Sequence, residues 1–374
     1  MAKNIVFLVH GMGKHFASQE PDQSAQTAWD SHAVRTLDTA WKRFPALANT
    51  PREELIEYVP ITYDQIFREY LQEVGDDAER LRRYMPTQEL KDVLEVLEGA
   101  SDAEAAFFWS HIADVLDYRY GADRFRYVHA HICRTIVEKV QAVWARPGHE
   151  NATFSVIAHS LGTAAVHGAL NRLGGGNIGQ SAQFRVGGLF QLRSYISIAN
   201  VSRVLWYGEQ DMYRSTIVRP FTPDLGRGYC DQFINVRHIA DPIVAPQPFA
   251  PADWGHAYRE LAVRHVRAIN VHDLSHYLDH PLVSGSIFRA VLGGDAFLTR
   301  EELNAQVSAY PDVVHSDPAQ RQQVERLIND LSSALQQVYG SDQALLWSIP
   351  RLFALLLRTL FQHREALRPL LAVV

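Results

Sequence analysis

The sequence predicts an α/β protein with a mostly parallel central sheet flanked by helices. Short runs rich in Val and Ile alternate with longer segments whose apolar residues recur at helical spacing. The length of 374 residues suits one large domain with insertions, and 47% hydrophobic residues suffice for a sizeable core. We expect strands at 4–9, 55–61, 153–158, 194–199, 232–239 and 266–271, and helices at 27–43, 125–143, 161–172 and 282–292.

Two long segments with helical patterns, residues 64–120 and 298–374, do not belong to this alternation of strands and helices. We therefore expect a single domain over residues 1–374, with a helical insertion at 64–120 and a helical C-terminal extension at 298–374. Extra helices packed on the sheet would explain both segments. Alternatively, the insertion is a cap over an active site, and the extension forms a homo-oligomer or membrane-surface contact.

Composition excludes several functional classes. The net charge of −6 and the lack of a basic block argue against a nucleic-acid partner. Cys133 and Cys230 are too few for a disulfide framework. No apolar run approaches the roughly 20 residues that span a bilayer, and the short N-terminal apolar run reads as a strand instead of a signal peptide. We expect a cytoplasmic protein without a transmembrane segment.

The strongest motif lies where the predicted strand 153–158 meets the following helix, at Ala158-His159-Ser160-Leu161-Gly162. A serine nucleophile on a tight strand-to-helix turn needs small residues two positions before and after it, because neighbouring backbone approaches closely. Ala158 and Gly162 meet this requirement. The motif resembles the serine motif of lipases and esterases in the α/β-hydrolase superfamily, which implies that fold and a nucleophilic Ser160.

The resemblance extends to the loop that follows the first predicted strand, His10-Gly11-Met12-Gly13, which is similar to the His-Gly loop of bacterial lipases. By position in the family, the backbone N–H groups of Met12 and Leu161 would form the oxyanion hole. His10 then has a structural role.

In this family the acid follows the serine along the chain and the histidine follows the acid. Asp241 stands just beyond the predicted strand 232–239 and is our choice of acid, with Asp211 and Asp231 as alternatives. Asp241 could instead simply open an Asx turn.

The predicted base is His276, which lies in the loop after the last predicted strand. His276 and the residues that follow it resemble the terminal loop of lipase-like proteins. His272 is the alternative. The same stretch, His272-Asp273-x-x-His276, is also close to a zinc-binding pattern in which two histidines four apart share a helical face. A zinc hydrolase is therefore an alternative hypothesis. It requires one helix that contains both histidines, whereas a β-branched run leads into this segment. Our main prediction includes no metal and no cofactor.

The sequence thus predicts a serine esterase in which Asp241 orients His276 and His276 activates Ser160. The expected substrate is a small-molecule or lipid-like carboxylic ester. Thioester or amide hydrolysis would use the same groups, and a non-catalytic interaction module with this fold is an alternative from another class.

Overall fold

The computed structural model describes residues 4–11, 23–63, 66, 122–175, 191–205, 230–239, 241, 244, 248–251, 254–265, 271–310, 326 and 333. In these ranges the chain alternates strands with helices. The strands are β1 (Asn4–Val9), β2 (Ile56–Ile61), β3 (Thr153–His159), β4 (Leu192–Ile198), β5 (Cys230–His238) and β6 (Tyr258–Val263). The helices are α1 (Gln23–Trp41), α2 (Pro45–Ala48), α3 (Arg52–Leu55), α4 (Ala122–Trp144), α5 (Leu161–Gly175), α6 (Ser202–Leu205), α7 (Leu274–Asp279), α8 (Pro281–Leu292) and α9 (Arg300–Ala309).

The six strands form one parallel sheet in the order β2-β1-β3-β4-β5-β6. In its register, Val9 of β1 pairs with Ala158 of β3, and Ile198 of β4 pairs with Val236 of β5. Because all strands run in one direction, the segments after β1, β3 and β5 leave the sheet at the same edge. This edge is where ligand sites of open α/β sheets form.

Helices cover both faces of the central strands. All six residues of β1 are buried, although successive side chains of a strand point to opposite faces. The continuous Ile, Val, Phe and Leu run of β1 is the composition expected of a strand covered on both sides. Among the helices, α4 packs against α5, and α1 contacts α7 and α8. The α/β class predicted from the sequence is therefore confirmed.

The first five observed strands overlap the predicted ones. The sixth, β6, was not predicted, because its exposed Arg259 and Glu260 interrupt the apolar pattern at the end of the sheet. The sixth predicted strand, 266–271, lies outside the described residues except for Val271, which is in a turn.

The two predicted helical additions are described only in small part. Within 64–120, the structure describes Ile66 alone; within 298–374, it describes α9 and the residues flanking it, together with residues 326 and 333. The cap and the oligomer contact predicted for these segments otherwise lie outside the described residues. Among the helices that the structure describes, none combines the length and apolar character needed to cross a membrane.

Candidate active site

Ser160 occupies a tight turn between β3 and α5 at the carboxyl edge of the sheet. Its φ is 53°, in the left-handed region that costs a non-glycine residue about 1–3 kcal/mol. The Ser160 N–H donates a hydrogen bond of 3.0 Å to the Ile198 carbonyl at the end of β4, which holds the turn against the sheet. Among the described residues, Ala199 is the other non-glycine residue with a positive φ, and strained residues of this kind concentrate at functional sites.

Two glycines let the chain close around this turn. A Cβ at Gly162 would lie 2.5 Å from the His10 carbonyl oxygen and 2.6 Å from that of Val9, so the start of α5 packs directly on backbone at the end of β1. A Cβ at Gly11 would lie 2.6 Å from the Ser160 Cβ and 3.0 Å from its Oγ. The segment after β1 therefore lines the space around the Ser160 hydroxyl.

One backbone donor lies beside the same space. Leu161 is the first residue of α5, so its N–H has no carbonyl partner within the helix, and the helix dipole favours negative charge there. A Cβ at Gly11 would lie 3.1 Å from the Leu161 nitrogen, which places that nitrogen beside the segment after β1. Met12, the other predicted oxyanion donor, lies outside the described residues.

His272 connects Ser160 to Asp241. Its Nε2 lies 2.8 Å from the Ser160 Oγ, and its Nδ1 lies 2.8 Å from the Asp241 Oδ2. All three residues are buried. Since a carboxylate only accepts, Nδ1 carries the proton donated to Asp241, and Nε2 is left to accept the hydroxyl proton of Ser160. This arrangement can deprotonate the serine and stabilise the resulting imidazolium.

The predicted base, His276, does not meet Ser160, and His272 takes that position. The reason is where α7 begins: Asp273 caps the helix by accepting the Ser275 N–H at 2.8 Å, so α7 starts at Leu274. His272 therefore precedes the helix and hangs over the sheet edge. His276 lies within the helix, where its ring stacks on His265 with the centroids 4.3 Å apart.

The zinc pattern His272-Asp273-x-x-His276 is corrected for the same reason. Two histidines four apart share a face only if the helix contains both, and α7 contains His276 alone. His272 is bound to Ser160 and Asp241, whereas His276 packs with His238 and His265.

Asp241 has the place predicted for the acid, and Tyr277 fixes its carboxylate. The Tyr277 Oη donates to the Asp241 Oδ2 at 2.7 Å and accepts the His238 N–H at 3.0 Å. Burial, and then the charge of Asp241, raise the pKa of Tyr277 well above its usual value, so the hydroxyl remains a donor. The sequence offered little sign of this role beyond the proximity of Tyr277 to the predicted base.

Of the two alternative acids, the structure describes Asp231, which does not reach Ser160. Asp231 is the second residue of β5, at the amino end of that strand and so at the opposite edge of the sheet, where it accepts a hydrogen bond from Gln191. Asp211 lies outside the described residues.

His159 and His10 brace the two segments around Ser160. The His159 Nε2–H donates to the His272 carbonyl oxygen at 2.8 Å. Burial, followed by the neighbouring His272, lowers the pKa of His159 to about 4, so this imidazole is a neutral donor. His10 is also buried, and its carbonyl oxygen accepts the Tyr63 hydroxyl at 2.6 Å. The structural role of His159, an unconstrained position of the serine motif, was missed in the sequence.

Comparison of the chain with protein-family models, with curated proteins and with solved structures finds no match. The chemistry of the site must therefore be inferred from its own geometry.

Proposed function

We propose that this protein is a serine hydrolase of the α/β-hydrolase fold that cleaves a carboxylic ester through an acyl-enzyme intermediate on Ser160. The observation that carries the proposal is the buried series of contacts from Ser160 through His272 to Asp241, each 2.8 Å long. Nucleophile, base and orienting acid lie in the order that acyl transfer requires.

The position of the series favours this fold within the α/β class. Ser160 stands on a strand-turn-helix with a left-handed backbone, at the carboxyl edge of a parallel sheet. Along the chain the order is serine, acid, histidine, which is the order of the α/β-hydrolases and differs from that of the chymotrypsin and subtilisin groups.

In the proposed first step, the Ser160 Oγ attacks the ester carbonyl carbon while His272 Nε2 takes the hydroxyl proton. Asp241 stabilises the imidazolium that forms. The carbonyl oxygen becomes an oxyanion, held by the Leu161 N–H and, on the family's pattern, by the Met12 N–H. Collapse of this tetrahedral intermediate breaks the bond to the alkoxide, which leaves with the proton from His272.

The second half of the reaction uses the same groups in reverse. His272 takes a proton from a water molecule as its oxygen attacks the acyl carbon of the Ser160 ester. The tetrahedral intermediate expels the Ser160 Oγ, which recovers its proton from His272. A carboxylic acid is released and the free serine is restored. The lipase-like form of the serine motif favours a lipid-like acyl group; thioester or amide hydrolysis would use identical steps.

A fluorophosphonate probe tests the nucleophile. We expect the wild type to be labelled and Ser160→Ala to remain unlabelled. Ser155→Ala is the matched control, because Ser155 is a buried serine within β3 whose hydroxyl accepts a hydrogen bond from Ser194. Labelling of Ser160→Ala, or loss of labelling in Ser155→Ala, would contradict the assignment. An unlabelled but folded wild type would favour the interaction module.

Hydrolysis of p-nitrophenyl esters of increasing chain length tests the base. His272→Ala should lower kcat by about 10⁴–10⁶-fold, the range for removing a base that acts as a unit with its nucleophile. His276→Ala should lose far less, because its ring faces His265 and not Ser160. The reverse ranking would restore His276 as the base. A preference for long chains would support a lipid-like substrate.

A further inference from the structure

A cluster of three histidines lies behind the acid of the proposed triad. His238 ends β5, His265 follows β6, and His276 lies in α7. All three are buried, and one ligating atom from each can be chosen so that the three lie within 4.8 Å of one another. Among the described residues, this is the group whose donors fit a transition-metal ion.

We propose that His238, His265 and His276 bind one Zn²⁺ ion, which ties together the segments that carry Asp241 and Tyr277. This proposal concerns a site separate from Ser160 and does not depend on the proposed hydrolase function.

The distances are compatible with zinc after small side-chain rotations. Zinc binds histidine nitrogens at about 2.0–2.1 Å in tetrahedral geometry, which places ligands about 3.4 Å apart. The upper limit of 4.8 Å therefore requires a contraction of about 1.4 Å at most. Three protein ligands leave a fourth position for a water molecule, as in three-histidine zinc sites.

Hydrogen bonds to backbone carbonyls already orient two of the rings. His265 Nε2–H donates to the His276 carbonyl oxygen at 2.9 Å, and His238 Nε2–H donates to that of His265. A carbonyl oxygen only accepts, so Nε2 is the protonated nitrogen and Nδ1 carries the lone pair in each ring. Fixing the tautomer of a ligating histidine by such a bond is the usual arrangement around zinc.

The other polar side chains described next to the cluster already have hydrogen-bond or ion-pair partners. The His280 ring centroid lies 4.7 Å from that of His265, and Nδ1 of His280 accepts the Leu282 N–H at the start of α8. The carboxylate of Asp279 pairs with Arg43 at 2.9 Å and accepts the Tyr310 hydroxyl. The three-histidine set is therefore the one we assign.

The ion would act on the active site by positioning. The backbone N–H of His238 donates to the Tyr277 hydroxyl, which in turn donates to Asp241. His276 adjoins Tyr277 in α7. An ion that links β5, the segment after β6 and α7 would hold His238, Tyr277 and Asp241 in these positions. Its main effect would be to stabilise the fold.

The test uses the whole protein after treatment with a chelator and its removal. We expect one equivalent of Zn²⁺ by elemental analysis after reloading, and visible d–d bands of a tetrahedral or five-coordinate site with Co²⁺. Zn²⁺ at about 1,000 times its Kd should raise Tm by roughly 5 °C, because a ligand that binds only the native state stabilises it by mass action.

His265→Asn should abolish the stoichiometric binding and the Tm shift. His167→Asn is the matched control: it removes another buried imidazole, packed against Phe249 with ring centroids 5.7 Å apart and outside the cluster, and should retain both. If His265→Asn does not fold, X-ray absorption of zinc in the wild type decides, with three histidine ligands expected.

A wild type that binds no zinc and shows no Co²⁺ bands would overturn the proposal. So would binding that persists in His265→Asn, or a zinc coordination shell without histidine. None of these readouts involves ester hydrolysis or probe labelling, so failure of the metal site is distinguishable from failure of the proposed function.

Discussion

Tyr277→Phe removes one hydroxyl from the support of the acid while keeping the ring that packs in the core. In the structure, this hydroxyl donates to the Asp241 Oδ2 at 2.7 Å, the same oxygen that faces His272 Nδ1 at 2.8 Å. Without it, the carboxylate can rotate away from the imidazole. We expect slower acylation of Ser160 with little change in substrate binding.

The magnitude follows from the bond that is lost. A hydrogen bond to a charged group contributes about 1.5–3 kcal/mol. If that contribution is retained in the transition state, its loss lowers kcat by about 10–100-fold, at about 1.4 kcal/mol for each factor of ten. The upper limit is the effect of disabling the acid itself, about 10⁴-fold in a serine triad.

The assay is kcat and KM for a p-nitrophenyl ester, together with the rate of fluorophosphonate labelling. Tyr195→Phe is the matched control, because the Tyr195 hydroxyl is also buried and donates to a backbone carbonyl, that of Thr163, at 2.7 Å. Both variants should lose about 1–3 kcal/mol of unfolding free energy. Only Tyr277→Phe should also have a kcat that is lower by about 10–100-fold. Equal kcat values in the two variants would refute a positioning role for Tyr277.

Two further outcomes follow from residues beside Ser160. Gly11→Ala should slow probe labelling by at least about tenfold, since its Cβ would lie 3.0 Å from the Ser160 Oγ and shift the reacting groups; an unchanged labelling rate would contradict the packing described. His159 has a pKa of about 4 when folded against 6.5 when unfolded, so only the unfolded chain takes up this proton between these values. The unfolding free energy should therefore fall as the pH drops from 6.5 to 4, by about 3 kcal/mol from this residue. If denaturant titrations give His159→Gln the same dependence of unfolding free energy on pH as the wild type, His159 is not the cause of this dependence.

The strand-to-helix turn at Ser160 was predictable because its determinants are local. A β-branched strand, small residues at positions 158 and 162 and a helical pattern afterwards define the turn within about a dozen residues. Asp241 could be predicted by the same kind of reasoning, since it follows a strand that reads clearly.

The choice of histidine depended on one helix boundary. Asp273 and Ser275 are residues typical of a helix N-terminus, and reading Asp273 as the cap would have placed His272 outside the helix. The contact of Tyr277 with Asp241 joins residues 36 positions apart. The contact of His159 with His272 joins residues 113 positions apart. Such pairings depend on the packing of the sheet and have no signature in a single sequence.

β6 was missed for a different reason. Among the described strands, β6 pairs with β5 alone, so its exposed residues can be charged, and Arg259 and Glu260 weaken the apolar pattern. Conversely, the fully buried β1 was evident from composition alone.

The residues that meet at Ser160 are far apart along the chain: His272 lies 112 positions from the serine and 31 from Asp241. The site cannot exist until β1, β3, β5 and α7 have docked, and the left-handed Ser160 is not a conformation that an isolated segment would keep. Reactivity of Ser160 towards a covalent probe would therefore report the completion of folding. During refolding, labelled molecules should accumulate with the last docking step, after secondary structure has formed.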